Sequence, residues 1–583
     1  ETTHAEEYAR QVIEAAAKRK LELLPAVING DIKAGKSAGE IKAKLLSEVE
    51  RIVPAEQDTE QKQIQAHFFS ILQLRGLSRA DQFRQMTDIV LAYLHKRGRF
   101  FFHAEHKTFK TAMYFDGARK LLLQIDADEF QAWLSHFIGI NRIEPAYKSI
   151  YSALLDEALN GHTTGLNPEA YWARRPGAIY LSNGDGQAVK ITAGKYSLVD
   201  NGTDDVLFAA GRTLKPWKLV DPADPVISCR LFREMKATAK HALDLFRLWL
   251  CSLPTNQRCK PPLTLSGTIG SGKTRLALGI FELYGIDPRV TIILRNSEDD
   301  FWAELNQGGL VCFDNADTRI DWLPDALAGA ATAVMHEKRQ LYTDNNIVQQ
   351  RAHAWIVITS ANPTFASDPG LADRVLVLRL ERREKDTAEA ALSDEIALHR
   401  NAGLSWITDT LSKALADNDP TPDNLNRRHP DFAAFAVKIG RAIGREQEAI
   451  AALQAAESDK SQFNLENDDL GTALLDLITR QESFTGTAAD LLEVLKNNES
   501  YFSTWGAKKI AKRLNKLKPH LESIFDTHYE KDRQGIITYS FRLTAGYAGF
   551  EPPVSAKVPM RKIIKTFLKQ PLENQQSQQP EQD

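Results

Sequence analysis

Gly267-Thr268-Ile269-Gly270-Ser271-Gly272-Lys273-Thr274 fits the spacing G-x-x-x-x-G-K-[ST] in full. A glycine-rich turn of this kind aims consecutive backbone N–H groups at phosphate oxygens. The helix that follows adds the partial positive charge of its first turn. Lys273 then reaches the β- and γ-phosphates, and the Thr274 hydroxyl ligates Mg²⁺. The elements needed to hold the turn lie on both sides. Leu263-Thr264-Leu265-Ser266 reads as a strand, and residues 275–283 read as a helix. The expectation is a nucleoside triphosphate site with ATP and Mg²⁺ as its ligands.

Such a site needs an acid at the end of a buried strand to hold the water shell of the metal. Gly309-Leu310-Val311-Cys312-Phe313-Asp314 supplies an apolar run closed by a carboxylate, forty residues beyond Thr274. A second buried run, Ala354-Trp355-Ile356-Val357-Ile358, ends in Thr359-Ser360-Ala361-Asn362-Pro363. The polar groups at this end, Asn362 among them, are placed to sense the γ-phosphate and orient a water. Asp373-Arg374 precedes another strand-like run, residues 375–380, where an arginine suits completion of a neighbouring subunit's site.

Around these residues the chain of 583 residues has room for about three to five domains. It is 43% hydrophobic and 26% charged, an ordinary globular composition. A net charge of −3 means that nucleic-acid affinity must come from local basic patches. Cys229, Cys251, Cys259 and Cys312 form no C-x-x-C pair, which argues against a zinc module and for a reducing, cytoplasmic setting. No apolar run is long enough to cross a bilayer. The chain opens on Glu1, not methionine, which fits a piece of a longer protein.

Residues 1–97 read as helical, with examples at 6–24, 41–53 and 61–74. Residues 98–222 read as α+β, with strands at 112–116, 178–182, 188–192 and 206–210. A long helix, 232–250, is expected to lead into the P-loop. An α/β nucleotide core is expected over 223–385, helical segments over 386–460 and a basic module over 461–548. The polar tail 549–583 reads as disordered.

The series GTIGSGKT, GGLVCFDN, ITSANP and LADR resembles an AAA+ ATPase. It is most similar to the branch of minichromosome maintenance and superfamily 3 helicases, among the replication helicases of phages, plasmids and mobile elements. The likeness covers about 225–460, and more faintly 100–215. It implies an AAA+ P-loop motor with a helical lid, ATP hydrolysed between the subunits of a hexameric ring, and single-stranded or forked DNA as partner. A primase or polymerase is a further possible partner. It also implies a hairpin ahead of the sensor strand that grips DNA. Here that hairpin turns at Asp344-Asn345-Asn346, with strands at 340–343 and 347–351, and Lys338, Arg339 and the turn residues are the implied contacts. Arg428, or alternatively Arg427, stands where the lid carries its sensor arginine.

One position departs from the pattern. Asn315 follows Asp314 where a glutamate usually serves as general base; asparagine can orient a water but cannot accept its proton, which leaves the identity of the base open, with the nearby carboxylate of Asp317 as a candidate.

Toward the carboxy terminus, helices at 487–495 and 505–517 and strands at 523–530 and 536–541 follow the order of a winged helix. The second helix carries Lys508, Lys509, Lys512 and Arg513, then Lys516 and Lys518. No acid lies between Phe502 and His520, so this helix reads as a DNA-binding surface.

The expected whole is a ring-forming DNA helicase of mobile-element replication. Two alternatives stay open: the helicase part of a primase–helicase, and a DNA-binding ATPase switch that does not unwind, such as an initiator, loader or defence protein.

Overall fold

The apolar runs on either side of the glycine-rich turn become the centre of a five-stranded parallel sheet. The protein is described from a computed structural model, which covers residues 56–74, 76–104, 111–160, 162–209, 214–292, 297–317, 319–339, 347–383, 387–498, 500–533 and 535–543. The helices expected at 6–24 and 41–53, the hairpin turn 344–346 with the expected strand 340–343, and the tail lie outside these residues.

Helices Glu56–Gln73 and Arg79–Arg97 lead into β1 (Gly98–His103), β2 (Ala112–Asp116) and β3 (Leu121–Gln124). After helices Asp128–Ile138 and Pro145–Leu159, β4 (Thr164–Leu166) joins this sheet in the order β3-β2-β1-β4. Phe68, Val90 and Leu94 share one core with Tyr114, Phe130 and Ile150, so the expected boundary at 97/98 falls inside a single packed cluster. A second sheet, β5 (Trp172–Arg175), β6 (Ala178–Ser182), β7 (Gln187–Thr192) and β8 (Lys195–Asp200), is an antiparallel meander. Trp172, Ile179 and Val189 of this meander pack into the same core as Trp249, Tyr284 and Leu404.

Two sequence expectations fail here, each for a tertiary reason. Residues 206–209 form no strand, only isolated bridges at Phe208 and Ala209. The Asn201 side chain accepts from Phe208 N at 2.9 Å and donates to Phe208 O at 3.3 Å, taking the backbone groups a strand partner would use. The helix expected over 232–250 is interrupted as well. Short helices Pro225–Ser228 and Arg230–Arg233 are followed by extended backbone, and the helix resumes at Ala242–Ser252. Thr238 N donates to Arg379 O at 3.0 Å, and Glu381 N donates to Lys236 O at 2.9 Å. The segment thus satisfies a sheet edge that would otherwise lie open.

The parallel sheet consists of β9 (Leu263–Gly267), β10 (Val290–Ile292), β11 (Gly309–Asp314), β14 (Ala354–Ser360) and β15 (Leu376–Leu380), in the order β10-β11-β14-β9-β15. Every residue of β11 and β14 is buried, as expected of strands covered on both faces. Between them, β12 (Met335–Arg339) and β13 (Ile347–Arg351) form a separate antiparallel ribbon. Helices Glu389–Ala416, Pro430–Ala442 and Glu446–Glu466 follow.

The last unit comprises helix Asp469–Gln481, β16 (Ser483–Thr487), helices Ala488–Asn498 and Ala507–Ile524, and the hairpin β17 (Phe525–Lys531) and β18 (Ile537–Leu543). Its sheet runs β16-β18-β17, and its first helix and β16 go beyond the elements expected from the sequence. The molecule is a mixed α/β chain with several sheets. Among the described residues, no helix is long and apolar enough to cross a membrane.

Candidate functional site

Strand register brings the sequence-predicted residues to one edge. Ser360 pairs with Ser266, and Phe313 pairs with Ile358, so β9, β11 and β14 end together. The crevice beyond the carboxyl ends of parallel strands is where open α/β sheets bind ligands.

Gly267 leaves β9 at φ 157°, and a Cβ on it would stand 2.1 Å from the Leu380 carbonyl oxygen, so only glycine fits. Gly272 at φ 82° caps helix Lys273–Tyr284. Lys273 is buried and its Nζ donates to the carbonyls of Gly267 at 2.8 Å and Thr268 at 2.9 Å. Burial lowers its pKa, and the Asp317 and Asp314 carboxylates partly oppose that shift. The ammonium therefore sits in the turn beside two acids. The buried Ser271 Oγ has no hydrogen-bond partner.

Asp314 is the hub of the edge. Its Oδ1 accepts from Thr274 Oγ1 at 2.7 Å and from Thr359 Oγ1 at 2.5 Å. Its Oδ2 accepts from Asn315 Nδ2 at 3.1 Å. Asn315 adopts φ 55°, and its N–H donates to Thr359 Oγ1 at 3.1 Å. The Asn315 amide is thereby fixed as a donor to the acid beside it. The Asp317 carboxylate is instead spent on a turn. Its Oδ1 accepts from Ser360 Oγ at 2.7 Å, Ala361 N at 2.6 Å and Asn362 N at 3.1 Å. These bonds fasten the segment that presents the exposed Asn362.

These residues fit a magnesium nucleotide. An open-backbone turn, a lysine bonded only to carbonyls within it, and a hydroxyl against a carboxylate are the donor set that phosphates and a hard cation use. Among the described residues no group of three or more His, Cys, Asp and Glu side chains is placed to hold a metal by itself.

Arg374 and Arg428 are brought together elsewhere. Arg428 Nη2 pairs with Asp373 at 3.2 Å, and Arg374 donates to the Gly370 carbonyl. Burial, and then the Arg428 charge, lower the Arg374 pKa. Neither is bonded to the P-loop of its own chain. Arg427 is exposed. His429 next to Arg428 is buried, and its Nε2 lies 3.2 Å from the Ala331 carbonyl that ends helix Leu323–Ala331.

The ribbon after that helix starts earlier than the sequence suggests. Its first strand is β12, so Lys338 and Arg339 lie within a strand, opposite Val348 and Ile347. The ribbon is anchored at its other end, where Arg351 N donates to Asn306 Oδ1 at 3.1 Å and His336 stacks on Trp302 at 5.0 Å.

The basic helix Ala507–Ile524 is divided by its packing. Lys508, Lys509 and Lys512 are exposed, with Lys509 Nζ 3.9 Å above the Trp505 ring. Arg513 is not free for DNA. It forms a two-nitrogen ion pair with Asp468, whose side chain is 3% exposed, and donates to Ser367 O at 3.1 Å. Lys516 pairs with Asp368 at 3.0 Å. This face of the helix is docked on the segment that leads to Arg374.

Thr359 is among the polar groups expected at the end of this strand, but its bond to Asp314 was not expected. Which side chain meets a hydroxyl one strand away leaves no mark in a linear motif.

No curated protein matches the chain. Solved structures similar to it include the apo structure of the NrS-1 C-terminal region and its A form, each 12% identical with a TM-score of 0.35, covering 78% of this chain and 98% of that one. A family model does match within the chain: residues 230–462, which contain every strand of the parallel sheet, are similar to the replication protein of actinomycete integrative conjugative elements.

Proposed function

We propose that this protein is an ATP-driven, ring-forming DNA helicase that serves replication of a mobile element. The observation that carries the reading is the Thr274–Asp314–Thr359 hydrogen-bond cluster at the mouth of the P-loop. The similarity of residues 230–462 to a mobile-element replication protein supplies the biological setting.

The strand order β10-β11-β14-β9-β15 supports an AAA+ core, with the helices from Glu389 to Glu466 as its lid. The carboxy-terminal unit, with its paired strands β17 and β18, supports a winged helix. In this reading Gly267, Gly270, Ser271 and Gly272 line the phosphate cradle. Lys273 leaves its two carbonyls for the phosphates, and Thr274 and Asp314 hold Mg²⁺. The bound ion supplies charge neutralisation on the transferring phosphoryl group. Asn362 orients the attacking water, held in place by Asp317. Arg374 and Arg428 serve the site of a neighbouring subunit, in keeping with their separation from their own P-loop. Lys338 and Arg339, within β12 of the separate ribbon, are assigned to contact the translocating strand.

Unwinding of a fork substrate with ATP and Mg²⁺ tests the proposal, with Lys273→Ala as control. Strand separation by the native chain and none by the variant is expected. ATP hydrolysis without strand separation would replace the helicase with an initiator or loader, and no ATP turnover would overturn both.

A further inference from the structure

We propose that Arg382 binds the phosphates of the nucleotide held by the P-loop of its own chain, an inference that rests on the reading of that loop as a nucleotide site. The parallel register of β15 with β9 sets Leu380 beside Gly267, so the chain that leaves β15 runs along the glycine-rich turn. Backbone and side-chain anchors fix both neighbours of Arg382. Glu381 N donates to Lys236 O at 2.9 Å, and Arg383 Nη2 donates to Leu231 O at 2.9 Å. Successive residues of an extended segment point to opposite sides, so Arg382 faces away from the side on which the Arg383 side chain is anchored.

It faces the loop. A Cβ built on Gly270 would meet only Arg382 atoms within 4 Å, Nε at 3.8 Å and Cζ at 4.0 Å. Gly270 itself adopts φ 83°, and that side of the turn is otherwise open. Arg382 is exposed and has no ion pair or hydrogen bond with any described residue. By contrast, Arg275 is engaged by Glu282 and Ser393, and Arg379 by Asp459 and Glu466. An uncommitted guanidinium over a turn of backbone N–H groups is a second donor array for a polyanion. Its planar fork suits phosphate oxygens better than an ammonium does.

The test measures equilibrium binding of Mg-ATP, AMP and inorganic tripolyphosphate to native protein, Arg382→Ala, Arg382→Lys and Lys273→Ala. The side chain is exposed, so the thermal midpoint of Arg382→Ala without nucleotide should equal that of the native chain. ATP and tripolyphosphate should each bind Arg382→Ala about tenfold more weakly, or about 1.4 kcal/mol, while AMP changes little. Raising the salt should shrink that difference, and Arg382→Lys should recover part of the loss. Native-like ATP and tripolyphosphate binding by Arg382→Ala, with Lys273→Ala impaired, would overturn the role of Arg382 and leave the site reading intact. An equal loss for AMP would also overturn it, because the guanidinium would then serve the nucleoside. Undiminished ATP binding by Lys273→Ala would sink the underlying reading of the loop.

Discussion

Thr274 donates a hydrogen bond to Asp314 across 2.7 Å, so the residue that ends the P-loop meets the residue that ends β11 directly. The same carboxylate oxygen takes the Thr359 hydroxyl. Two donors from two different elements thus fix one oxygen of one acid at the mouth of the glycine-rich turn.

Asp314→Asn keeps the shape of that cluster and removes the charge. Nucleotide binding should persist in part, while Mg²⁺-dependent hydrolysis falls by about a hundredfold or more, the scale of losing a preorganised electrostatic group. Thr359→Val should lower turnover less and cost about 1 kcal/mol of stability through a lost buried hydrogen bond. Steady-state ATPase assays and chemical denaturation of the two variants measure this. Full activity in Asp314→Asn would contradict the assigned role.

Arg374→Ala should be inactive alone and recover hydrolysis when mixed with Lys273→Ala, because a mixed interface restores one complete site. Arg428→Ala should follow the same pattern with a smaller defect, since its Asp373 partner lies on the surface. No recovery despite demonstrated subunit exchange would assign both arginines to their own chain.

The two faces of helix Ala507–Ile524 should separate in DNA-binding titrations. Changing Lys508, Lys509 and Lys512 together to alanine should weaken binding and flatten the log affinity against log salt slope by about two to three. Arg513→Ala leaves the buried Asp468 carboxylate without its partner. It should cost about 2–3 kcal/mol of stability and release the module from the core, with little change in the slope. A slope set by Arg513, not by the lysines, would reverse the assignment.

His429 is buried with one ring nitrogen unpartnered, and burial pushes its pKa down to about 4. The unfolded chain binds the proton more readily, near an ordinary value of 6.5. Stability from the neutral ring is therefore fully present above about pH 6.5 and is lost as pH falls toward 4. Between pH 7 and pH 5 the loss should be about 2 kcal/mol. His429→Gln should remove that pH dependence in urea titrations, and an unchanged dependence would assign it to other groups.

The glycine-rich turn, Asp314 and the strands around them were legible in the sequence because their chemistry is local. A positive φ, a close backbone approach and an apolar strand each demand residue types at fixed short spacing. Ala354–Ser360 and Ala112–Asp116 were recognisable for the same reason, since burial on both faces leaves a continuous apolar run. Tertiary structure decided the rest, where distant segments compete for the same groups. Asn201 captured the backbone of Phe208, and residues 236–238 left a helix to cover β15. Arg513, one cation among many in the sequence, was drawn to Asp468. The placement of Arg382 over Gly270 arises the same way, from the register of two strands more than a hundred residues apart along the chain. Charge and periodicity state what a side chain can do, but its partner is set by the packing that brings remote segments within reach.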